Sequence, residues 1–215
     1  MFRSGFKLAT ATLALAAAGA AHASTPLLSE GFDNVGALAS NGWVTSNESS
    51  PAGSTGWFQG QSAVAFPAQA GADDSFVAAN FNSGVDGGSI DNWLITPTFS
   101  TASAGVVTLW LRGSADAGYT DTVKFGFSNG SSSTAAFSTG SVVEATNGWT
   151  QYSFAFAAAG AGSVGRFAIE YTGPASGMDY VGVDSLNVSA VPEPATWLMF
   201  GVGLVGIAAR RRAAR

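Results

Sequence analysis

The chain has 215 residues, which is enough for one sizeable core, and it contains no cysteine. Disulfides, zinc-thiolate sites and cysteine nucleophiles are therefore excluded, so an exported domain of this kind must be held together by its hydrophobic core. Six of the nine basic residues lie near the chain ends, whereas thirteen of the fourteen acids lie between them, giving the central region a net charge near −10. Such a charge repels phosphate backbones and argues against a nucleic-acid partner.

Residues 1–23 have the organisation of a secretory signal peptide. Arg3 and Lys7 precede a long apolar run, and Ala21-His22-Ala23 matches the small-x-small pattern that a signal peptidase cleaves. The alternative is a buried N-terminal helix. We predict that residues 1–23 are a signal helix removed by signal peptidase, and we exclude them from the fold.

Residues 24–190 show the period of two that is typical of strands, and they show no long amphipathic helix. Apolar side chains occupy alternate or nearly all positions in several segments, and we predict strands at residues 75–80, 93–96, 106–111, 123–127, 151–156, 166–171 and 180–188. Turn-forming clusters such as Asp86-Gly87-Gly88 separate them. Trp93 and Trp110 lie in apolar runs and are predicted to be buried in the core. The pattern predicts one all-β domain, an antiparallel two-sheet sandwich of Ig-like or jelly-roll type.

The tail, residues 191–215, has three parts. Pro192-Glu193-Pro194 is followed by an apolar run of 13 residues from Trp197 to Ala209, and then by Arg210, Arg211 and Arg212. A spanning helix generally needs about 20 apolar residues, so this run predicts a short hydrophobic helix that is a poor permanent transmembrane anchor. The positive-inside bias leaves the arginines in the cytoplasm and the Pro-Glu-Pro sequence at the outer face of the inner membrane. We predict cleavage there; the alternative is a simple tail anchor in a locally thinned bilayer.

Short motifs in the central region resemble the choice-of-anchor J family. They are Ser29-Glu30-Gly31-Phe32-Asp33-Asn34, Asn41-Gly42-Trp43, and the segments 54–60, 76–81, 90–97, 165–171 and 179–184. The tail resembles the PEP-CTERM sorting signal of Gram-negative bacteria, which is read by an exosortase. These resemblances imply a jelly-roll sandwich related to cleaved-adhesin domains, processed by signal peptidase and exosortase, and presented at the cell surface or in the extracellular matrix. They do not imply an activity.

A binding function is favoured by aromatic residues in or beside predicted loops. Jelly rolls are a common lectin scaffold, and exposed rings of Trp43, Trp57, Phe58 or Tyr119 could stack on a sugar. The alternative for Trp43 and Trp57 is that they pack in the core. We therefore predict an adhesion or carbohydrate-binding module whose partner is extracellular polysaccharide. A structural matrix component without a ligand pocket is the alternative function.

Catalysis has less support from the residue types. The only histidine, His22, leaves with the signal peptide, so neither a histidine base nor a Ser-His-Asp triad is available to the mature domain. Asp73 with Asp74, or Asp116 with Asp121, could supply a carboxylate pair for a glycosidase or lyase. Such pairs in Gly- and Ser-rich loops are usually solvated, and we predict that the protein is not an enzyme.

A structural calcium ion is predicted at Glu30 and Asp184, with Asp33 as a further ligand. The first and last strands of a jelly roll come together, which would bring these carboxylates close, and they would repel unless a cation lay between them. Calcium accepts flexible sets of six to eight oxygens. The resemblance to cleaved-adhesin domains, in which calcium sites occur, points the same way. The alternative is that Glu30 is solvated and Asp184 accepts backbone N–H bonds at a bulge.

Overall fold

A computed structural model of the protein describes residues 26–191, so the predicted signal helix and the predicted C-terminal helix lie outside the described residues. The strands are β1 Pro26–Glu30, β2 Val44–Asn47, β3 Ser50–Ala52, β4 Phe58–Gln59, β5 Val77–Asn80, β6 Gly84–Ile95, β7 Phe99–Ser100, β8 Gly105–Gly113, β9 Thr122–Ser128, β10 Ser138–Thr139, β11 Val143–Glu144, β12 Thr150–Phe156, β13 Val164–Pro174 and β14 Tyr180–Ala190. The helical segments are 3-10 turns at Val35–Ala37, Ala39–Asn41, Phe81–Ser83, Thr134–Ala136 and Ala175–Gly177. No helix within residues 26–191 is long and apolar enough to cross a membrane.

The strands form two antiparallel sheets. The first sheet has the order β12-β8-β14-β5-β4, and β1 also pairs with β14. The second has the order β10-β9-β13-β6-β2, with β11 on β9, β3 on β6 and β7 on β13. This architecture confirms the predicted all-β sandwich, and it also confirms that the first and last strands pair.

The core lies between the two sheets and is built from the predicted apolar stripes. Fully buried inward-facing side chains come from β8, β14, β9 and β13; among them are Val107, Leu109, Leu111, Val181, Val183, Val123, Phe167, Ile169 and Tyr171. Tyr152, Phe154 and Phe156 of the edge strand β12 pack against this cluster and are half-buried. Alternation therefore predicts the inward faces of β9, β12 and β13 correctly.

The prediction that Trp110 is buried in the core is wrong. Along β8 the inward positions are fully buried, whereas Trp110 lies on the opposite face and is half-buried. Its neighbours across the two strand pairs are Gln151 and Asp184. The outer face of this sheet is also covered by a chain connection, so β8 carries apolar residues on both faces. The sequence of β8 therefore does not show the alternation of apolar and polar residues that would reveal which face is buried. Trp93 is buried as predicted, but in a small cluster outside the main core.

The cover on the outer face of the first sheet is the long connection between β4 and β5. Its Phe66 packs with Phe76 and Tyr180 in a second aromatic cluster, at ring-centroid distances of 5.4 and 5.5 Å. The guanidinium carbon of Arg112 lies 4.3 Å from the centroid of the Phe66 ring. The connection thus shields part of this sheet face from solvent.

The turn predicted at Asp86-Gly87-Gly88 is also wrong, because these residues lie within β6. Gly87 has a φ of 77°, a conformation that glycine adopts without steric cost. The register of β3 on β6 shifts between Ser50 and Ala52, which is the signature of a bulge. The glycines therefore bend the strand without ending it.

The two faces of β8 give a direct stability test. Leu109→Ala removes a fully buried side chain and should lower the free energy of unfolding by about 2–5 kcal/mol. Trp110→Ala, although it deletes more atoms, should cost less because its ring is only half-buried on the outer face. Denaturant melts of the purified chain and both variants would measure this order. A larger loss for Trp110→Ala than for Leu109→Ala would contradict the placement.

Candidate ligand-binding groove

Three connections meet at one end of the sandwich and enclose a groove. They join β5 to β6, β8 to β9, and β13 to β14, and the cavity between them has a volume of about 600 Å³. A second cavity of about 300 Å³ adjoins it and shares Phe81, Asp116 and Asp179 with it. We call the two together the end groove; its principal side chains are Phe81, Asn82, Asp86, Asp116, Tyr119 and Asp179. The size is that of a small-molecule site.

Two aromatic rings of the end groove are open to solvent. Tyr119 is 51% exposed and Phe81 is 46% exposed. Within residues 26–191 these are the only large aromatic side chains that are exposed, and both line the same cavity. An exposed aromatic ring offers an apolar face on which a ligand ring can pack. The end groove is therefore where the described part of the chain offers such contacts.

Two acids of the end groove, Asp116 and Asp179, line both of its cavities. The hydroxyl of Ser114 donates to Oδ2 of Asp116 at 3.1 Å. Burial raises the pKa of Asp179 above its ordinary value, and the nearby carboxylates of Asp116 and Asp121 raise it further. Oδ2 of Asp179 is buried and has no hydrogen-bond partner. Asp179 is therefore harder to ionise than an ordinary aspartate.

A buried carboxylate, that of Asp121, fixes the connections that carry this pair. Its Oδ1 accepts the hydroxyl of Tyr171 at 2.6 Å and the N–H of Asp179 at 2.9 Å. Its Oδ2 accepts the N–H groups of Tyr180 at 3.2 Å and Ser114 at 3.4 Å. Burial, followed by the charge of Asp121, raises the pKa of Tyr171, so this phenol stays protonated as a donor. Asp121 therefore joins the connection after β8 to the connection before β14.

The fold does not bring together the four aromatic residues that the sequence suggested for ligand binding. Trp43 is 4% exposed and packs edge-on against Phe32, and Trp57 is buried and donates from its Nε1 to the carbonyl of Asn92 at 3.3 Å. Phe58 is half-buried against Tyr180. These contacts agree with the core alternative for Trp43 and Trp57, which therefore offer no open ring. Only Tyr119 lies in the end groove.

Other groove residues have weaker signals in the sequence. Phe81 ends an apolar run and precedes the turn-forming Asn82-Ser83-Gly84, and a position next to a turn favours exposure. The pattern of apolar residues alone does not distinguish Phe81 from a core residue. Asp86 reaches the groove from β6 and Asp179 from the connection before β14, and these segments are distant in sequence. Of the carboxylates suggested by sequence as a catalytic pair, Asp121 is buried and accepts four hydrogen bonds, whereas Asp116 lines the end groove.

Two of the three residues predicted to bind calcium, Asp33 and Asp184, lie beside the loop at residues 69–71. Glu30 ends β1, and its Oε1 accepts the N–H of Phe32 at 2.9 Å. Asp33 is exposed, and its Oδ1 lies 3.4 Å from the position that a side-chain carbon on Gly71 would occupy. Asp184 is fully buried beneath the same loop. Asp33 and Asp184 are thus near neighbours of residues 69–71, whereas Glu30 pairs with Leu186 of β14.

The carboxylate of Asp184 is engaged by N–H donors. Its Oδ2 accepts the N–H groups of Gln69 at 2.9 Å and Ala70 at 3.1 Å, and its Oδ1 accepts the N–H of Ser185 at the bulge in β14. These are the hydrogen bonds expected from the alternative stated above, in which Asp184 accepts backbone N–H groups at a bulge and binds no metal. Across residues 26–191 no group of three or more Asp, Glu, His or Cys side chains is placed to hold a metal ion. Calcium binding stays a prediction.

The comparisons with known proteins agree with the fold and with the tail. Residues 190–212 match the PEP-CTERM protein-sorting motif, so the chain carries an export and surface-sorting signal. The K1 cleaved adhesin domain of Lys-gingipain from Porphyromonas gingivalis W83 has a similar fold, with a TM-score of 0.58 and 21% identity over 77% of this chain and 98% of that one. The K3 domain of the same protein gives a TM-score of 0.58 and 18% identity over 78% and 99%. No curated protein sequence matches the chain.

Calcium binding has a thermal test in which Glu30→Gln is the informative variant. This substitution retains Oε1 as the acceptor for Phe32 but removes the charge that a metal would need. If calcium binds the folded form, its addition after EDTA should raise the melting temperature of the full-length chain, by the equivalent of about 2.7 kcal/mol at 100 times the dissociation constant.

Glu30→Gln should reduce that rise, and Asp184→Asn should abolish it. The exposed acid Glu144, which lies in β11 on the other sheet, supplies the control Glu144→Gln. The calcium assignment fails if millimolar calcium produces no shift, or if Glu30→Gln and Asp184→Asn leave the shift unchanged.

Proposed function

We propose that the chain is an exported cell-surface or matrix protein whose sandwich binds carbohydrate through the end groove and so serves adhesion to extracellular polysaccharide. The observation that carries this proposal is the coincidence of the two exposed aromatic rings, Phe81 and Tyr119, with the largest cavity described at this end of the fold. Carboxylates, amides and hydroxyls around the rings supply partners for sugar hydroxyls. Apolar faces with a few convergent polar groups are the usual composition of a ligand site.

The fold and the sorting signal support the proposal at a coarser level. The similar solved domains are called adhesins, and surface presentation is what an adhesin requires. We extend the proposal to membership of the choice-of-anchor J family, with which the sandwich is compatible. The alternative, a structural matrix component without a ligand pocket, leaves the exposed rings of the end groove without a role.

Carbohydrate binding is tested by presenting the purified chain to an array of oligosaccharides. We expect binding to a restricted set of glycans, and we expect Tyr119→Ala to weaken it by about 5- to 150-fold. Losing an aromatic stacking partner costs a nucleic-acid base about 1–3 kcal/mol, and we expect a similar loss for a sugar ring. Val142→Ala is the matched control, because Val142 is 53% exposed and lies outside the end groove. Binding that is unaffected by Tyr119→Ala would move the site elsewhere, and no binding to any glycan would favour the matrix component.

The tail is proposed to hold the chain in the inner membrane until an exosortase cleaves it. Its apolar run is shorter than a stable span, and the Pro-Glu-Pro sequence stands between that run and the last residue of β14, Ala190. A membrane protease could therefore reach the peptide bonds after Ala190 without unfolding the sandwich. The surface-bound protein would then be free of the inner membrane.

Intact-mass spectrometry of the protein isolated from its native host tests this processing. We expect a mass that lacks residues 1–23 and ends near Val191 to Pro194. Replacing Pro192 and Pro194 by alanine should retain the unprocessed chain in the membrane fraction, and Val142→Ala should be processed normally. A mature mass that still includes Arg210 to Arg215 would contradict cleavage and favour a tail anchor.

A further inference from the structure

The strand β12 is an open edge of the first sheet. Within residues 26–191 it pairs with β8 alone, in a continuous register from Thr150 opposite Leu111 to Phe156 opposite Gly105. None of the other backbone hydrogen bonds of the described chain involves residues 150–156. In a strand with one neighbour, alternate residues direct their N–H and C=O groups away from the sheet. β12 therefore presents a row of backbone donors and acceptors to which another strand can bind.

The strands at the other edges of the two sheets are protected against such pairing. β4, β10 and β11 have two residues each, and β3 contains Pro51. β1 begins with Pro26, ends with Glu30 and is bulged, and β2 has four residues and is followed by Glu48. Short length, proline, charge and bulges are the usual means by which proteins prevent edge-to-edge pairing. β12 has seven residues, Thr-Gln-Tyr-Ser-Phe-Ala-Phe, and has none of these protections.

The side chains of β12 are suited to a further strand on this edge. The aromatic side chains point into the sandwich but are only half-buried; they are Tyr152, Phe154 and Phe156. The centroid of the Phe154 ring lies 4.5 Å from that of Phe125 in β9. The outward-facing side chains, with Ser153 at their centre, are exposed and uncharged. A strand added to β12 would therefore cover the open sides of the rings without burying a charge.

Charge limits where two copies of this chain can meet. The region between the terminal segments has a net charge near −10, so most surfaces of two copies repel each other. No aspartate or glutamate lies between Glu144 and Glu170, and neither β12 nor its neighbour β8 contains an acid. The edge formed by β12 is therefore a place where two copies can approach without repulsion between acids.

We propose that β12 pairs with β12 of a second copy of this chain, antiparallel and about a two-fold axis at Ser153, so that the two first sheets become one continuous sheet. In this register all seven residues pair, and Tyr152 lies opposite Phe154 of the second copy. Aromatic cross-strand pairs stabilise antiparallel strands. A shift of one residue would set the aromatic side chains opposite outward-facing ones, so the period of two disfavours it.

This pairing is closed. A two-fold contact uses the same edge of both copies, and the remaining edges are protected, so assembly should end at a dimer and not continue into a fibre. Seven strand residues a side are fewer than the roughly 20–30 of a standard stable interface. The dimer should therefore be reversible and depend on concentration.

The dimer would place its two end grooves at opposite ends. Thr150 begins β12 opposite Leu111, close to the connection after β8 that lines the groove, whereas Phe156 lies at the far end of the strand. Antiparallel pairing sets the groove end of one copy beside the far end of the other. One consequence, unlike the pairing itself, rests on the proposed carbohydrate function: the dimer would connect two polysaccharide chains, one in each groove.

Analytical ultracentrifugation of the purified full-length chain over a range of concentrations tests the pairing. We expect an equilibrium between monomer and dimer. Ser153→Lys sets two ammonium groups opposite each other at the two-fold axis and should weaken the dimer at least tenfold. The variant should fold because Ser153 is exposed, and an unchanged melting temperature at low concentration checks this. Ser138→Lys, the same change at an exposed serine of β10, should leave the dimer unchanged.

Two further variants identify the contact itself. Ser153→Glu alone should also weaken the dimer, but an equimolar mixture of Ser153→Lys and Ser153→Glu should restore it, since opposite charges then face each other. The chain contains no cysteine, so Ser153→Cys supplies a single thiol. Directly opposite residues of an antiparallel pair lie within the reach of a disulfide, and mild oxidation should link two copies. Ser138→Cys should form far less of the linked dimer under the same conditions.

Two results would overturn the proposal. Sedimentation as a monomer at every concentration would leave the edge to a strand of another protein or to the tail of the same chain. A dimer that is equally stable in Ser153→Lys, or that is not restored by the mixture of charges, would place the contact on another surface. Neither result depends on the glycan array, so the pairing and the proposed carbohydrate binding can fail separately.

Discussion

The end groove depends on one buried carboxylate. Asp121 is 3% exposed and receives four hydrogen bonds, one from the core residue Tyr171 and three from backbone N–H groups of the connections before β9 and before β14. A buried carboxylate is stable only when its oxygens are satisfied, so the two connections are held at the positions that satisfy it. Through Tyr171 the arrangement is anchored in the sandwich core. The groove is therefore prepared before a ligand arrives, which reduces the entropy lost on binding.

That preparation has a local electrostatic cost. The N–H of Asp179 is held by Asp121, and burial together with the nearby carboxylates of Asp116 and Asp121 raises the pKa of Asp179. The linkage has a definite sign: because the folded-state pKa of Asp179 is raised, its contribution to stability is most favourable at low pH and is lost as the pH rises through the raised value. Acids with perturbed pKa values are concentrated at functional sites, and this one lines the end groove.

The sequence predicts those features that follow from local patterns. The stripe of Phe167, Ile169 and Tyr171 is recognisable because one face of β13 is buried along its length, and the tail motif is recognisable because its three parts are contiguous. Trp110 is placed wrongly because the cover over the outer face, a separate connection, makes both faces of β8 apolar. Tyr119 is found by its loop position, whereas Asp116 and Asp179, which line the same cavity, are 63 positions apart and are brought together only by the tertiary fold. Such a meeting has no local signal in a single sequence.

The central claim is that the end groove prepared by Asp121 receives an oligosaccharide. The most direct measurement is a crystal structure of the chain with a bound oligosaccharide taken from the array. The account predicts that the oligosaccharide lies in the end groove, with a sugar ring packed against Tyr119 or Phe81. An oligosaccharide bound outside the end groove would contradict the account.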